Sequence, residues 1–447
     1  MKKIDVLVIG GGPAGIVAAT TAKRTYPNKS VCLIRKTKTA VIPCGIPYIY
    51  GTLRDVKKNL IPDAMLTNAG VELVTDEIVS LDLKSKIAKT KSGEEYQFEK
   101  LILATGSRPV IPKIEGLDKE GVFFVYKEAE YLEKLLKAVN EAQRIVIVGG
   151  GFIGVEFADE IAKLGKEVTI IEMLPHCLML AFDEEFCVLA EEKLKSLGVK
   201  VLTNSTVKAI KGERKAEGVI LTDGREIPAY LVLIAIGARP NADLAREAGL
   251  KIGEYGGIVV DFYMRTSHPD VFAVGDCAEK YSFFTGKPAP TMLASIASAE
   301  ARIAGANLYE LHLVREIVGT IGIFSTAIRD LVLGVAGLTE SAAKREGFEI
   351  VIGRFETVDK HPGALPGASK LIVKLMFSRQ GVLLGGEVAG GITVGEIVNI
   401  IGTAIENRMT AAQLATMQIG THPLLTAAPT VYPITMAAFD ALKKLKQ

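Results

Sequence analysis

Short apolar runs that stop at glycine recur along this chain and organise its reading. Residues 4–9 are apolar apart from Asp5 and stop at Gly10-Gly11-Gly12-Pro13-Ala14-Gly15; an Ala-rich stretch then reaches about residue 26. A run of that length before a glycine turn predicts a buried parallel strand, and the stretch after it a helix. Residues 31–34 return as a second strand. The same succession appears again further on. Residues 144–148 run into Gly149-Gly150-Gly151-Phe152-Ile153-Gly154, a helix follows to Lys163 with Gly165 closing it, and residues 168–171 lead into Glu172. The chain therefore carries an internal repeat of two strand–turn–helix–strand units.

Between and after the repeats the pattern changes. Residues 50–100 predict a helix and then a β-meander over 71–74, 78–83 and 87–90, with Ser92-Gly93-Glu94 as a hairpin turn. Residues 101–104 form a buried strand ending in the small-residue turn Thr105-Gly106-Ser107, and residues 231–235 echo it before Ile236-Gly237-Ala238. Small residues at the end of such a strand allow a cofactor to approach closely. Residues 269–277 read as another short strand ending in Gly275-Asp276, where a carboxylate can accept hydrogen bonds from sugar hydroxyls. An Ala-rich helix follows Ala294. From Gly319 onward, strands at 320–324, 331–336, 371–377 and 382–388 alternate with helices at 342–346 and 394–407, an α+β pattern. The fold class expected is α/β: two Rossmann-like dinucleotide-binding domains and a C-terminal α+β domain.

Composition narrows the class. With 447 residues, 49% hydrophobic content and 44 glycines, the chain has material for about three domains with many tight turns. Its 53 basic residues nearly cancel its 51 acidic ones, which gives no case for nucleic acid or an anionic membrane as partner. The start, Met1-Lys2-Lys3 and an apolar run, has the look of a signal peptide, but Asp5 and the glycine turn interrupt it. No apolar run reaches the roughly 18 residues of a membrane span. Five scattered cysteines without metal-like spacing point to isolated thiols in a reducing cytoplasm.

Each glycine turn has the form G-x-G-x-x-G. Gly10 and Gly149 make the turn, Gly12 and Gly151 let backbone approach a pyrophosphate, and Gly15 and Gly154 let helix pack on strand. The second repeat ends in Glu172, about 20 residues past the turn, where a carboxylate takes a ribose 2′-hydroxyl. No arginine follows Glu172, which favours NADH over NADPH; His176 is nearby. The first repeat departs from this, because Arg35 and Lys36 follow residue 34. Arginine cannot accept a hydrogen bond, though it can stack on adenine or meet a phosphate. Either backbone and water hold the ribose there, or the site takes a nucleotide with a 2′-phosphate. One thiol stands out: Cys44, within Pro43-Cys44-Gly45-Ile46-Pro47, reads as the abrupt start of a helix, where a thiol has a lowered pKa. The plain alternative is a small residue at a turn.

In their order (fingerprint, cysteine, Ala-Thr-Gly strand, second fingerprint, Gly-Asp, α+β domain) these features resemble the flavoprotein pyridine nucleotide–disulfide oxidoreductases over essentially the whole chain. The resemblance implies a discontinuous FAD-binding domain over 1–112 and 241–318, an NAD(H)-binding domain over 113–240 and a dimerisation domain over 319–447, hence a homodimer. It implies FAD at Gly10, Gly12, Pro13, Ala14, Gly15, Arg35, Ile78, Thr105, Gly106, Gly275, Asp276 and Ala294. NADH, with NADPH the alternative, belongs at Gly149, Gly151, Phe152, Ile153, Gly154, Glu172 and Gly237. The residue five past Cys44 is Ile49, so the chain is similar to the single-cysteine branch: coenzyme A disulfide reductases, NADH oxidases and peroxidases, and persulfide or polysulfide reductases. Cys44 is then the redox centre. His422, before Pro423, matches a proton-relay histidine or is a polar residue at an interface turn; the glutamate that would orient it falls at Ala427. Glu156 matches a glutamate near the nicotinamide or is a charge on a helix face. The activity implied is reduction of a small-molecule disulfide, persulfide or polysulfide. Its rivals are an NADH oxidase reducing oxygen and a redox-responsive binding flavoprotein.

Overall fold

A computed structural model describes residues 1–446, arranged as two compact units. One unit gathers Met1–Lys113, Phe124–Glu141 and Gly237–Thr320; the other gathers Ile114–Phe123, Ala142–Ile236 and the chain from Ile321 onward.

In the first unit the strands Glu72–Thr75, Val31–Arg35, Lys2–Ile9, Glu95–Leu103 and Val271–Ala273 lie parallel in that order. The near end of Glu95–Leu103 also pairs antiparallel with Ile87–Thr90, which pairs with Ile78–Asp82, giving the expected meander. Lys2–Ile9 is central, and Val6, Leu7 and Val8 are wholly buried, as a strand covered on both faces must be. Helices Pro13–Thr25 and Ala294–Ala306 pack on one another through small residues: a Cβ on Gly305 would come within 2.7 Å of the Ala18 carbonyl oxygen.

The segment after Cys44 is not the helix its composition predicts. It breaks into a 3₁₀ turn Pro43–Gly45, a π turn Ile49–Leu53, a 3₁₀ turn Val56–Asn59 and the short helix Ala64–Thr67. Asp55 caps the third of these by accepting from Lys57 N at 2.9 Å, and Pro62 prevents continuation. Helix Ala129–Glu141, which lies inside the span 113–240 assigned to the second domain, belongs to this first unit. Its Leu132, Leu135 and Val139 are fully buried, and Asn140 Oδ1 accepts from Arg54 Nη2 at 2.7 Å.

The second unit contains a five-stranded sheet ordered Val122–Phe124, Leu231–Ile234, Arg144–Val148, Glu167–Ile171 and Lys200–Leu202. A second five-stranded sheet is antiparallel, ordered Ile323–Ile328, Leu331–Gly337, Leu383–Gly390, Lys370–Ser378 and Ile350–Val358. Helix Phe152–Ala162 buries residues around its whole circumference, as a helix enclosed on all sides does. Strand Ile350–Val358 and helix Pro433–Leu445 are among the elements that had no sequence reading. Gly353 joins them: a Cβ there would lie 2.0 Å from the Ala437 carbonyl oxygen, so glycine admits the helix against the strand.

Candidate active site: two glycine turns and an exposed thiol

Each glycine of the first turn has a separate steric reason. Gly10 has φ +115°, and a Cβ on it would meet the Ala104 carbonyl oxygen at 2.1 Å. Gly15 would meet the Gly10 carbonyl oxygen at 1.9 Å, which locks helix to strand. Gly12 faces open space, with no atom within 4 Å of a built Cβ, and it is the residue that starts helix Pro13–Thr25. An open position backed by a helix N-terminus, with Pro13 in its first turn, suits a pyrophosphate.

Gly275, with φ +76°, packs against Ala14 (2.9 Å between Cβ positions) and so joins the Gly275-Asp276 turn to this cradle. Two buried charges brace that turn. Glu300 Oε2 accepts from Gly275 N at 2.9 Å, and Lys280 Nζ donates to the carbonyls of Gly275 (2.7 Å) and Ala278 (2.9 Å). Asp276 Oδ2 accepts from Ser107 Oγ at 2.7 Å and from Lys127 Nζ at 3.1 Å. Burial works to raise the Asp276 pKa, but Lys127, Ser107 and Lys280 together hold it below the ordinary value. A hydroxyl, an ammonium and a carboxylate thus meet where sugar hydroxyls and phosphate of a bound dinucleotide need partners. Ser107 lies in the small-residue turn read from sequence; Lys127 had no local signal.

Thr105 Oγ1 donates to the Asn241 carbonyl at 2.6 Å, and Gly106 has φ +70° with open space beside it. The two echoing segments meet directly: Ser107–Pro109 pairs antiparallel with Ala238–Pro240, and Gly237 precedes the pair with φ +108°. Ala294 opens the helix Ala294–Ala306. Ile78 has its side chain in the hydrophobic core, at 9% exposure, so only its backbone is left to face a ligand.

Arg35 is 3% exposed, and its fork is engaged within the protein. Nη1 and Nη2 donate to Asp63 Oδ1 and Oδ2, each at 2.7 Å, while Nε reaches the Thr37 carbonyl at 3.0 Å and Nη2 that of Lys38 at 2.5 Å. This guanidinium does not lie free to stack on an adenine.

Cys44 sits in the Pro43–Gly45 turn and is exposed. The turn is pinned from behind by buried Asn59, whose Nδ2 donates to the Ile42 carbonyl at 2.9 Å. Gly45 is required there, since a Cβ would fall 2.0 Å from Asn59 Oδ1. The other four cysteines are buried. Burial pushes the thiols of Cys32, Cys177 and Cys187 up to about 12 and raises that of Cys277, so none of these is a thiolate at neutral pH.

In the second unit the glycine turn repeats the same contacts. Gly149 has φ +107° and faces the Ala235 carbonyl oxygen at 2.6 Å, Gly154 faces that of Gly149 at 2.0 Å, and Gly151 is open. Glu172 Oε2 accepts from Gly150 N at 2.6 Å and Oε1 from Leu174 N at 2.8 Å. Phe152 stacks on Phe324, with 5.3 Å between centroids and 9° between planes, and Ile153 is next to it at the helix start. Glu156 Oε1 accepts from Thr326 Oγ1 at 2.9 Å. Burial, with a smaller repulsion from Glu160, raises the Glu156 carboxyl to about 7 against the pull of that hydrogen bond.

His422 Nδ1 accepts from Leu424 N at 3.2 Å, which leaves Nε2 as the proton-bearing nitrogen of the neutral ring. Thr426 and His361 organise this tail. Thr426 Oγ1 accepts from His422 N at 2.9 Å, and His361 Nδ1 lies 3.0 Å from the Thr426 carbonyl oxygen. Ala427, which stands where the family's orienting glutamate would fall, is buried. Among the described residues no cluster of metal-ligating side chains occurs and no helix is long and apolar enough to cross a membrane.

The chain belongs to the pyridine nucleotide–disulphide oxidoreductase family, which matches it over residues 4–301, with that family's dimerisation domain matching residues 323–431. It is 32% identical to an NADH oxidase of Methanocaldococcus jannaschii over 98% of this chain and 99% of the relative. It is 34% identical to an NAD(P)H coenzyme A polysulfide/persulfide reductase of Pyrococcus horikoshii, covering 87% of this chain and 88% of the relative. An NAD-dependent persulfide reductase from A. fulgidus superposes with a TM-score of 0.93 at 31% identity, over 99% of this chain and 84% of that one. The protein is therefore an oxidoreductase of this family, with the α/β architecture its sequence implies.

Proposed function

We propose that this protein is an FAD-dependent NADH oxidoreductase that reduces a disulfide, persulfide or polysulfide through Cys44. The observation that carries the reading is the contrast among its cysteines: four are buried, and Cys44 alone is exposed, on a turn pinned by Asn59 and Gly45. Bound FAD supplies the capacity to take a hydride from NADH and pass electrons on singly or in pairs. The first glycine turn, with Asp276, Ser107 and Lys127, supplies donors and acceptors for that dinucleotide. For the second turn, Glu172 supports NADH, because its carboxylate accepts from ribose hydroxyls and repels a 2′-phosphate.

Cys44 as thiolate attacks a sulfur of the acceptor, forms a mixed disulfide and releases one thiolate. Two electrons, originating in NADH, then return Cys44 to the thiolate and release the second thiol. His422, whose Nε2 is the proton-bearing nitrogen of the neutral ring, is the candidate proton donor to the leaving thiolate on the support of its match to the family's relay histidine, and Glu156 lies on the helix that follows the second glycine turn. The match to a dimerisation domain over 323–431 supports assembly as a homodimer, and five unjoined cysteines support a reducing cytoplasm.

The M. jannaschii relative, an NADH oxidase, supports a second reading in which oxygen is the acceptor and Cys44 meets peroxide as a sulfenic acid. One experiment separates the two. Anaerobic NADH titration of the wild type and Cys44→Ser is followed by an acceptor screen with coenzyme A disulfide, polysulfide and oxygen. Cys44→Ser is expected to lose at least about 100-fold of disulfide and polysulfide turnover while retaining NADH-to-oxygen electron flow. Full disulfide turnover in that variant would sink the Cys44 mechanism.

A further inference from the structure

The two repeats can be aligned by hydrogen bonds instead of by sequence. Gly10 N donates to the Ile34 carbonyl and Gly149 N to that of Ile171, both at 2.9 Å, so the next residues, Arg35 and Glu172, are equivalent. The bond after each agrees: Asp76 N donates to the Arg35 carbonyl at 3.0 Å and Ser205 N to that of Glu172 at 2.9 Å. At the second turn the Glu172 carboxylate rests on Gly150, with Oε2 3.1 Å from where a Cβ would stand. At the first turn that place is filled by the stem of Arg35, whose Cδ lies 2.5 Å from a Cβ built on Gly11. The guanidinium continues past the turn and holds Asp63 by two bonds of 2.7 Å. Arg35 is buried, whereas the Asp63 side chain is 43% exposed.

We propose that Asp63, presented by Arg35, is the acceptor for the adenosine ribose hydroxyls of FAD, a carboxylate moved outward from the strand end to the far end of an arginine. This rests on the reading that the first turn takes FAD. An ionised carboxylate has about four acceptor positions, and Arg35 uses two, so the outward pair is left for a ribose. The arrangement also argues against the 2′-phosphate alternative: Arg35 is neutralised by Asp63, four of its five donors go to Asp63, Thr37 and Lys38, and Lys36 beside it pairs with Glu128 at 2.8 Å. The requirement for Gly11 follows as well, since any side chain there would displace the stem of Arg35.

The test compares binding of FAD with binding of the FAD analogue whose adenosine lacks the 2′-hydroxyl, read by flavin fluorescence during exchange into the purified protein. The wild type is expected to favour FAD by about 10-fold. Asp63→Asn is expected to bind FAD about 10-fold more weakly and to lose the preference. Equal affinity of the wild type for the two flavins overturns the proposal without any variant. So does an Asp63→Asn protein that keeps the wild-type preference. A wild type that retains no flavin at all overturns the FAD reading beneath it, a result distinguishable from both.

Discussion

The two glycine turns differ in the residue that follows the second strand's last apolar position, Arg35 in one and Glu172 in the other, although their backbones are nearly the same object. Gly15 and Gly154 each lie against a carbonyl oxygen at 1.9–2.0 Å of a built Cβ, and Gly12 and Gly151 each face open space. The second turn then places a carboxylate directly on Gly150, while the first lays an arginine stem across Gly11 and reaches its carboxylate through it. Contacts that pack helix on strand leave glycine no substitute, so they recur in both copies. A ribose acceptor only has to arrive at a point in space, and that point can be reached from a strand end or from a distant loop. Steric constraints fix residues; electrostatic requirements fix positions.

The most severe test of that equivalence is Gly15→Ala beside Gly154→Ala. Each added methyl must move helix and strand apart, and each variant is expected to lose about 3 kcal/mol or more of stability, measured by denaturant midpoint. A copy that tolerates alanine with less than about 1 kcal/mol of loss would show that the turns are not built alike. Gly12→Ala and Gly151→Ala sharpen the comparison from the other side. Their φ values, −77° and −73°, suit any residue, and no atom stands in the way. Stability is expected to change by under about 0.5 kcal/mol. Nucleotide binding is expected to fall about 10-fold or more, because the methyl intrudes where phosphate approaches. Gly12→Ala should cost flavin content and Gly151→Ala should raise the KM for NADH, so crossed effects would reverse the assignment of the two turns.

Much of this was readable in the chain. G-x-G-x-x-G twice, the small-residue strand ends at Thr105-Gly106 and Ile236-Gly237, and Gly275-Asp276 are local patterns, and each glycine read as obligatory has a steric neighbour or an open face that explains it. What escaped is long-range. Asn59 holds the Cys44 turn from 15 residues away in the chain, Lys127 reaches Asp276 across 149 residues, and Thr326 reaches Glu156 across 170. None of these partners has a periodicity or spacing that marks it. The stretch after Cys44 misled for a different reason: its apolar residues have helical density, but Arg54 in the left-handed region (φ 57°), Asp55 and Pro62 cut it into single turns. Arg35 was legible as an anomaly, and only the fold supplies Asp63 as its partner.

The last difference between the copies is electrostatic and predicts the smallest effect. Two residues past the final glycine of each turn stand Val17 in the first helix and Glu156 in the second. Burial raises the Glu156 carboxyl from 4.5 to about 7, although Thr326 donates to it. Between those two values the folded chain holds a proton that the unfolded chain has released. Stability therefore falls as pH rises through that window, and levels off above about pH 7. Glu156→Gln keeps a partner for Thr326 and removes the titration. The variant should gain on the wild type by about 1 kcal/mol between pH 5 and pH 8, the partial exposure of the carboxyl screening a larger effect. Val17→Gln, at the equivalent place in the first helix, should show no such drift. Denaturation of the three proteins at both pH values checks this, and a parallel response of wild type and Glu156→Gln would mean that the second turn, like the first, carries no proton-linked group at this position.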